Sequence, residues 1–151
     1  MSTGFVKVLI ELPLADWYSE STETLWATRL ESGHYRLENS PFYARGYSFR
    51  DVVHAEFVED LGFPVVRNAV EKSGHSTYAV WVSEGVEGNE QFAKSWEPIN
   101  ALGCSFEGVR GKLLSVDIPA NANIREAYRL LQMGEDEGAW HFQEHDVGHA
   151  V

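Results

Sequence analysis

The stretch SGHST, residues 73 to 77, places a histidine beside two hydroxyl side chains, the parts of a base and a nucleophile. Nucleophilic catalysis requires the two to share a proton. Neighbours on a strand point to opposite faces, so His75 and Ser76 would not meet, and no Gly-x-Ser-x-Gly elbow accompanies them. The stretch reads first as a turn, with Ser and Gly in their usual conformational roles; the alternative is ligand binding at the mouth of a sheet, with His75, Ser76, Tyr78 and Trp81 as its residues. The tail HFQEHDVGHAV spaces His141, His145 and His149 four apart, with Glu144 and Asp146 among them. On a helix the three imidazoles would line one face and suit a borderline-soft metal. Trp140 and Phe142, two apart, predict instead an extended segment ending near His145. No native metal centre and no cofactor are expected.

The other reactive types lack the setting that chemistry needs. Cys104 is flanked by Leu102, Gly103, Ser105 and Phe106, with no cation to favour a thiolate, and reads as a buried structural thiol. Glu59 with Asp60, and Glu135 with Asp136 and Glu137, have no apolar flanks to raise a pKa for general-acid work. They read as solvated charges. Residues 40 to 57, SPFYARGYSFRDVVHAEF, are the most aromatic part of the chain. With Gly46 allowing a bend, Phe42, Tyr43, Tyr47 and Phe49 can form a barrel wall against Trp26 and Leu37. Alternatively, Tyr43, Arg45 and Tyr47 face outward as an interaction hot spot.

These residues must be carried by definite elements. In FVKVLIEL, residues 5 to 12, Val6, Val8, Ile10 and Leu12 make one fully apolar strand face. ETLWATRL and HYRLEN are strands joined through Ser32-Gly33, a hairpin signal. DVVHAEF continues the alternation, so the first part is all-β. After EDLGFP, the segments VVRNAVEK and TYAVWV read as strands. Asn89 caps a helix with a buried stripe of Phe92, Trp96 and Ile99, kinked or shortened by Pro98 and ended at Gly103. KLLSVDIP returns to strand. Asn123 and Glu126 form a capping box for a second helix bearing Ile124, Ala127, Tyr128 and Leu131, closed by Gly134. A final strand covers AWHFQEH.

The expected fold is therefore α+β: a small β-barrel-like half over residues 1–64, and a ferredoxin-like α/β sandwich over 65–151, packed as one unit. A chain of 151 residues, 44% hydrophobic and 13% aromatic, can bury such a core. Twelve Lys and Arg against 23 Asp and Glu give a net charge of −11, which disfavours nucleic acid and anionic membrane as partners. One cysteine excludes an intrachain disulfide framework. The opening MSTGFVKVLIELP lacks a basic stretch before an apolar run, and no run approaches the roughly 18 residues of a membrane span. A cytoplasmic location is expected.

ETLWATRLESGHYRLENSPFYARGYSFRDVVHAE, VEKSGHSTYAV, ALGCSFEG, LLSVDIP and EDEGAWHFQE together resemble an uncharacterised bacterial family, the domain of unknown function numbered four-two-six-five. The resemblance spans nearly the whole chain and implies extent and architecture, without an activity. The second half also resembles, in charge and element order, small acidic regulators of ribonuclease activity and immunity proteins that neutralise toxins. From Met133 onward the chain carries Glu135, Asp136, Glu137, Glu144 and Asp146 and no Lys or Arg. Such a surface steers a basic protein partner toward itself. The expectation is a non-enzymatic acidic binding module that inhibits or regulates a basic partner, a toxin or nuclease among them. The alternative is a small-molecule or nucleotide-binding domain, hydrolytic in its strongest form, with its pocket near His75.

Overall fold

The computed structural model describes residues 5–109 and 111–150. Strands β1 (Val6–Glu11), β2 (Thr22–Arg29), β3 (Tyr35–Leu37), β4 (Val52–Val58) and β5 (Phe63–Glu71) close into a barrel in chain order. All neighbours are antiparallel except β1 and β5, which meet in parallel at Leu9 and Val65. Val8 and Ile10, Leu25 and Ala27, Leu37, Val53 and Val66 fill the interior. That is the period of two the sequence displays, folded so that each apolar face looks inward. Register shifts between β4 and β5 near Val52 and His54 bend the wall. The β2–β3 hairpin turns through Gly33 at φ 92, a conformation glycine adopts without strain.

The strand expected at 65–72 is thus a barrel strand, and the division expected at 64/65 falls inside it. Phe42, Tyr43, Tyr47 and Phe49 do not lie on a barrel strand. Residues 41–51 hold no strand; Ala44 and Tyr47 pack against the barrel core while Phe49 turns away to His75. Trp26 lies on the outside, half-exposed beneath Lys7.

The rest of the chain adds β6 (Ser76–Trp81), α1 (Glu90–Ala101), β7 (Ser105–Val109), β8 (Leu113–Ile118), α2 (Ile124–Asp136) and β9 (His141–Asp146). The four strands form an antiparallel sheet in the order β7-β8-β6-β9. β7, in the strand-like SFEGVRG segment that follows Cys104, pairs with β8 along its whole length. Both helices pack on one sheet face, where Tyr78, Val80, Leu114, Val116 and Ile118 meet Phe92, Ile99, Ala127, Leu131 and Trp140. Cys104 is buried in the same core, and burial pushes its thiol up to about 11.

Asn89 and Asn123 cap the helices as expected, accepting from the amides of Phe92 and Glu126. Two details differ. Pro98 lies inside α1 without ending it, because the helix continues to bury Ile99 while Pro98 itself is exposed. Gly134 does not close α2 but lies within it, directly under the Trp140 ring; the left-handed residue beyond its end is Gly138 at φ 84. The opposite face of the sheet, bearing Thr77, Ala79, Ser115 and Gln143, looks toward the barrel and its 41–51 connection.

Candidate functional site

The two halves leave a cleft of about 1030 Å³ between them. One wall is the irregular β1–β2 connection, contributing Asp16, Trp17, Tyr18, Ser19 and Glu20, together with Tyr43 of the 41–51 segment. The other is the helix-free sheet face, with Ala79 and Trp81 from β6, Leu113 of β8 and Lys112 just before it, and His141 and Gln143 from β9.

Local interactions explain why the connection folds there. The amide of Leu12 donates to the carbonyl of Ser21 and closes the loop at its base. The Tyr18 hydroxyl donates to the Pro13 carbonyl at 2.5 Å. Trp17, Tyr18 and Tyr43 then gather, with ring centroids 4.9, 5.7 and 5.2 Å apart. Tyr43 is placed by Glu23, a buried β2 residue whose carboxylate accepts the backbone amides of Phe42, Tyr43 and Ala44 at 2.5, 3.1 and 3.0 Å. Burial raises the Glu23 pKa above its usual range, and the three amides oppose that rise.

Behind Trp17 stands His145, 5.5 Å away between ring centroids. The pairing of β9 with β6 jumps from Glu144 opposite Tyr78 to Asp146 opposite Thr77, so His145 is the extra residue of a bulge. The bulge turns its side chain into the junction of the halves, where it is only 5% exposed. The Gln143 amide donates to His145 Nε2 at 3.0 Å, which leaves the ring proton on Nδ1, without a partner among the described residues. Burial, reinforced by the Arg45 charge, pushes its pKa down to about 4, so the ring is neutral. Arg45 donates to Gln143 Oε1 at 3.1 Å and completes this back wall.

Of the residues singled out by sequence, Tyr43, Trp81 and His141 line the cleft and Arg45 stands behind it. Tyr47 is partly buried against the barrel core. The four residues of the pocket expected near His75 do not converge. His75 Nδ1 lies 2.8 Å from Asp117 Oδ1, Tyr78 is buried on the helix face with its hydroxyl on Glu144 at 3.0 Å, and Trp81 is six strand positions away, about 20 Å at the rise of a strand. Burial and the neighbouring Glu144 raise the Tyr78 pKa.

Ser76 does find a histidine, and the sequence did not point to which one. Its Oγ lies 2.6 Å from His149 Nδ1, while His149 Nε2 donates to the Pro119 carbonyl at 2.7 Å. The same hydroxyl accepts the amides of Gly148 and His149, and Ser76 is completely buried. With both its lone pairs occupied and its hydroxyl out of solvent, Ser76 fastens residues 148 and 149 to β6. The tail histidines separate accordingly: His141 at the cleft rim, His145 in the junction, His149 on Ser76.

Most of the tail acids have local partners. Asp146 is internal, holding Lys72 and Ser48 at 2.8 and 2.6 Å. Glu144 serves Tyr78, Glu135 accepts the Phe142 amide, Asp136 accepts from Gln132, and Glu137 caps α2. Sequence reasoning passed over Asp16, Trp17, Tyr18 and Glu20. The signal was a ten-residue connection between paired strands, longer than the 2–5 residues usual for a hairpin, carrying adjacent aromatics.

This architecture defines an α+β protein whose conspicuous concavity is an aromatic cleft between a closed barrel and a helix-backed sheet. The family model Domain of unknown function (DUF4265) matches residues 23–142, and the chain belongs to that family. A hypothetical protein from Neisseria gonorrhoeae has a similar fold, with a TM-score of 0.80 at 16% identity, covering 99% of this chain and 100% of that one. No curated protein matches the chain. Among the described residues, no helix is long and apolar enough to cross a membrane.

Proposed function

We propose that the protein is a non-enzymatic binding module that inhibits or regulates a basic protein partner, such as a toxin or nuclease domain, by seating part of it in the aromatic cleft. The observation that carries this reading is the loop wall: Trp17, half-exposed, lines the cleft with Asp16 and Glu20, in a chain of net charge −11. Aromatic anchors supply most of the energy of such interfaces, and the net charge speeds encounter with a cationic surface. The β-α-β-β-α-β order from β6 onward, with sheet order β7-β8-β6-β9, supports a ferredoxin-like assignment for this half, the architecture of the acidic regulators it resembles. Cys104, free and buried, suits action in the reducing cytoplasm.

Affinity capture from the native host at low salt tests the reading. The wild-type protein should retain a basic partner whose binding weakens as salt rises, and Trp17→Ala or Trp81→Ala should lower affinity about tenfold or more. No basic partner, or one indifferent to both changes, overturns it. A second reading is favoured by one feature: the sheet wall presents Lys112, His141 and Gln143, polar groups suited to an anionic small molecule or nucleotide. A metabolite that raises the melting temperature by several degrees in the wild type but not in Lys112→Ala would establish it instead.

A further inference from the structure

The loop wall has a more particular chemistry than general stickiness. Glu20 is drawn toward the three rings, one carboxylate oxygen 3.4 Å from the Tyr43 hydroxyl and the other accepting the Ser19 amide at 3.2 Å. Asp16, next to Trp17 in the chain, also lines the cleft. None of the ion pairs among the described residues involves either carboxylate. Among the described residues, two carboxylates with no ion-pair partner therefore flank Trp17 on the cleft-lining connection, and Trp17 keeps 39% of its surface exposed to an incoming group.

We infer that this end of the cleft is a receptor for a single arginine side chain of the partner, stacked on Trp17 and ion-paired with Glu20 and Asp16. The inference rests on the protein-binding reading above and names its anchor. A guanidinium is planar, weakly hydrated and forked, so it stacks on an aromatic face while its N–H groups meet a carboxylate edge-on; an ammonium can do only one of these well. Lys112 on the facing wall repels a second cation, which makes the site selective for one arginine over a polybasic tract.

The test is a titration of the full chain with a blocked glycyl-arginyl-glycine peptide at physiological salt, followed through the Trp17 indole N–H resonance assigned with Trp17→Phe. A saturable shift is expected, with affinity about fivefold weaker for the lysine peptide or for Glu20→Gln, and none for the citrulline peptide, which keeps the shape without the charge. Equal responses to arginine and citrulline, no effect of Glu20→Gln, or no saturation at tens of millimolar overturns the arginine site. Capture of the partner in a Trp17-dependent manner decides the broader reading separately. If capture persists while the peptide arm fails, the cleft is a docking site with another anchor; if both fail, neither stands.

Discussion

His145 shows how a single side chain can be decisive without touching a partner. It is the extra residue of the β9 bulge, neutral and enclosed, and its ring backs Trp17 in the cleft wall. Its folded pKa of about 4 lies below the ordinary 6.5, so between those values the unfolded chain binds the proton that the folded chain refuses. The stability this group permits is complete above pH 6.5 and drains away as pH falls toward 4. His145→Gln should flatten that dependence, removing a loss of about 1–3 kcal/mol across the window. Urea unfolding of both proteins from pH 7 to pH 4 measures it, and the subtraction cancels the opposing contributions of Glu23 and Asp117, whose pKa values burial raises. Parallel curves would remove His145 from the account. From the sequence, His145 was one of three evenly spaced histidines; only the bulge and the packed loop separate it from His141 and His149.

At the scale of elements, α2 illustrates what sequence rules recover and where they stop. Its Asn123 cap and its buried Ile124, Ala127 and Leu131 follow directly from composition and spacing. Gly134 could serve either as terminator or as a place for something to approach, and only tertiary packing chooses. A Cβ there would fall 2.2 Å from the Trp140 ring, whose Nε1 is held on the Leu131 carbonyl at 2.9 Å. Gly134→Ala therefore sets a helix-propensity gain of about 1 kcal/mol against displacement of a buried indole. The steric side wins: a net loss of about 1–3 kcal/mol is expected, read as a lower urea midpoint at unchanged slope. Trp140→Phe in the same chain should recover part of it by shortening the ring. A variant as stable as the wild type would mean that the indole can move, and that glycine at this position is incidental. The β1–β2 connection lies at the other extreme: no periodicity marks it, because Trp17 and Tyr18 pack on Tyr43, a residue supplied from a different segment.

For the molecule as a whole, the question is what holds a barrel and a sheet at the distance that makes a cleft. The answer centres on Lys72, just past β5, whose Nζ donates to Asp51 at 2.5 Å, to Asp146 of β9 at 2.8 Å and to the Gly46 carbonyl at 3.0 Å. Ser48 bonds Asp146 and lies 2.7 Å from Thr77 Oγ1, the Gly46 amide donates to the His145 carbonyl, and Ser115 donates to the Pro41 carbonyl. Asp51 is completely buried, and its carboxylate accepts from this ammonium and from the amides of Ser48 and Ser73. The partition of the chain at 64/65 missed this because barrel closure through a parallel contact between β1 and β5 joins residues far apart in sequence, which no local pattern encodes. Lys72→Met leaves Asp51 and Asp146 facing each other without a cation. Since the Lys72 side chain is 38% exposed, water screens part of the cost, and about 1–3 kcal/mol is expected where a fully buried pair would lose more. The loss should be local to the seam: hydrogen exchange at the Gly46 amide should quicken while the Tyr78 and Leu131 amides, within the sheet and helix, stay protected. Binding of the partner should weaken with it, although Lys72 does not line the cleft, because the loop wall and the sheet wall would no longer be held in register; Lys72→Arg, which keeps the charge, should restore most of both. Uniformly faster exchange throughout the chain, or unchanged exchange at Gly46, would show that the seam does not depend on this residue.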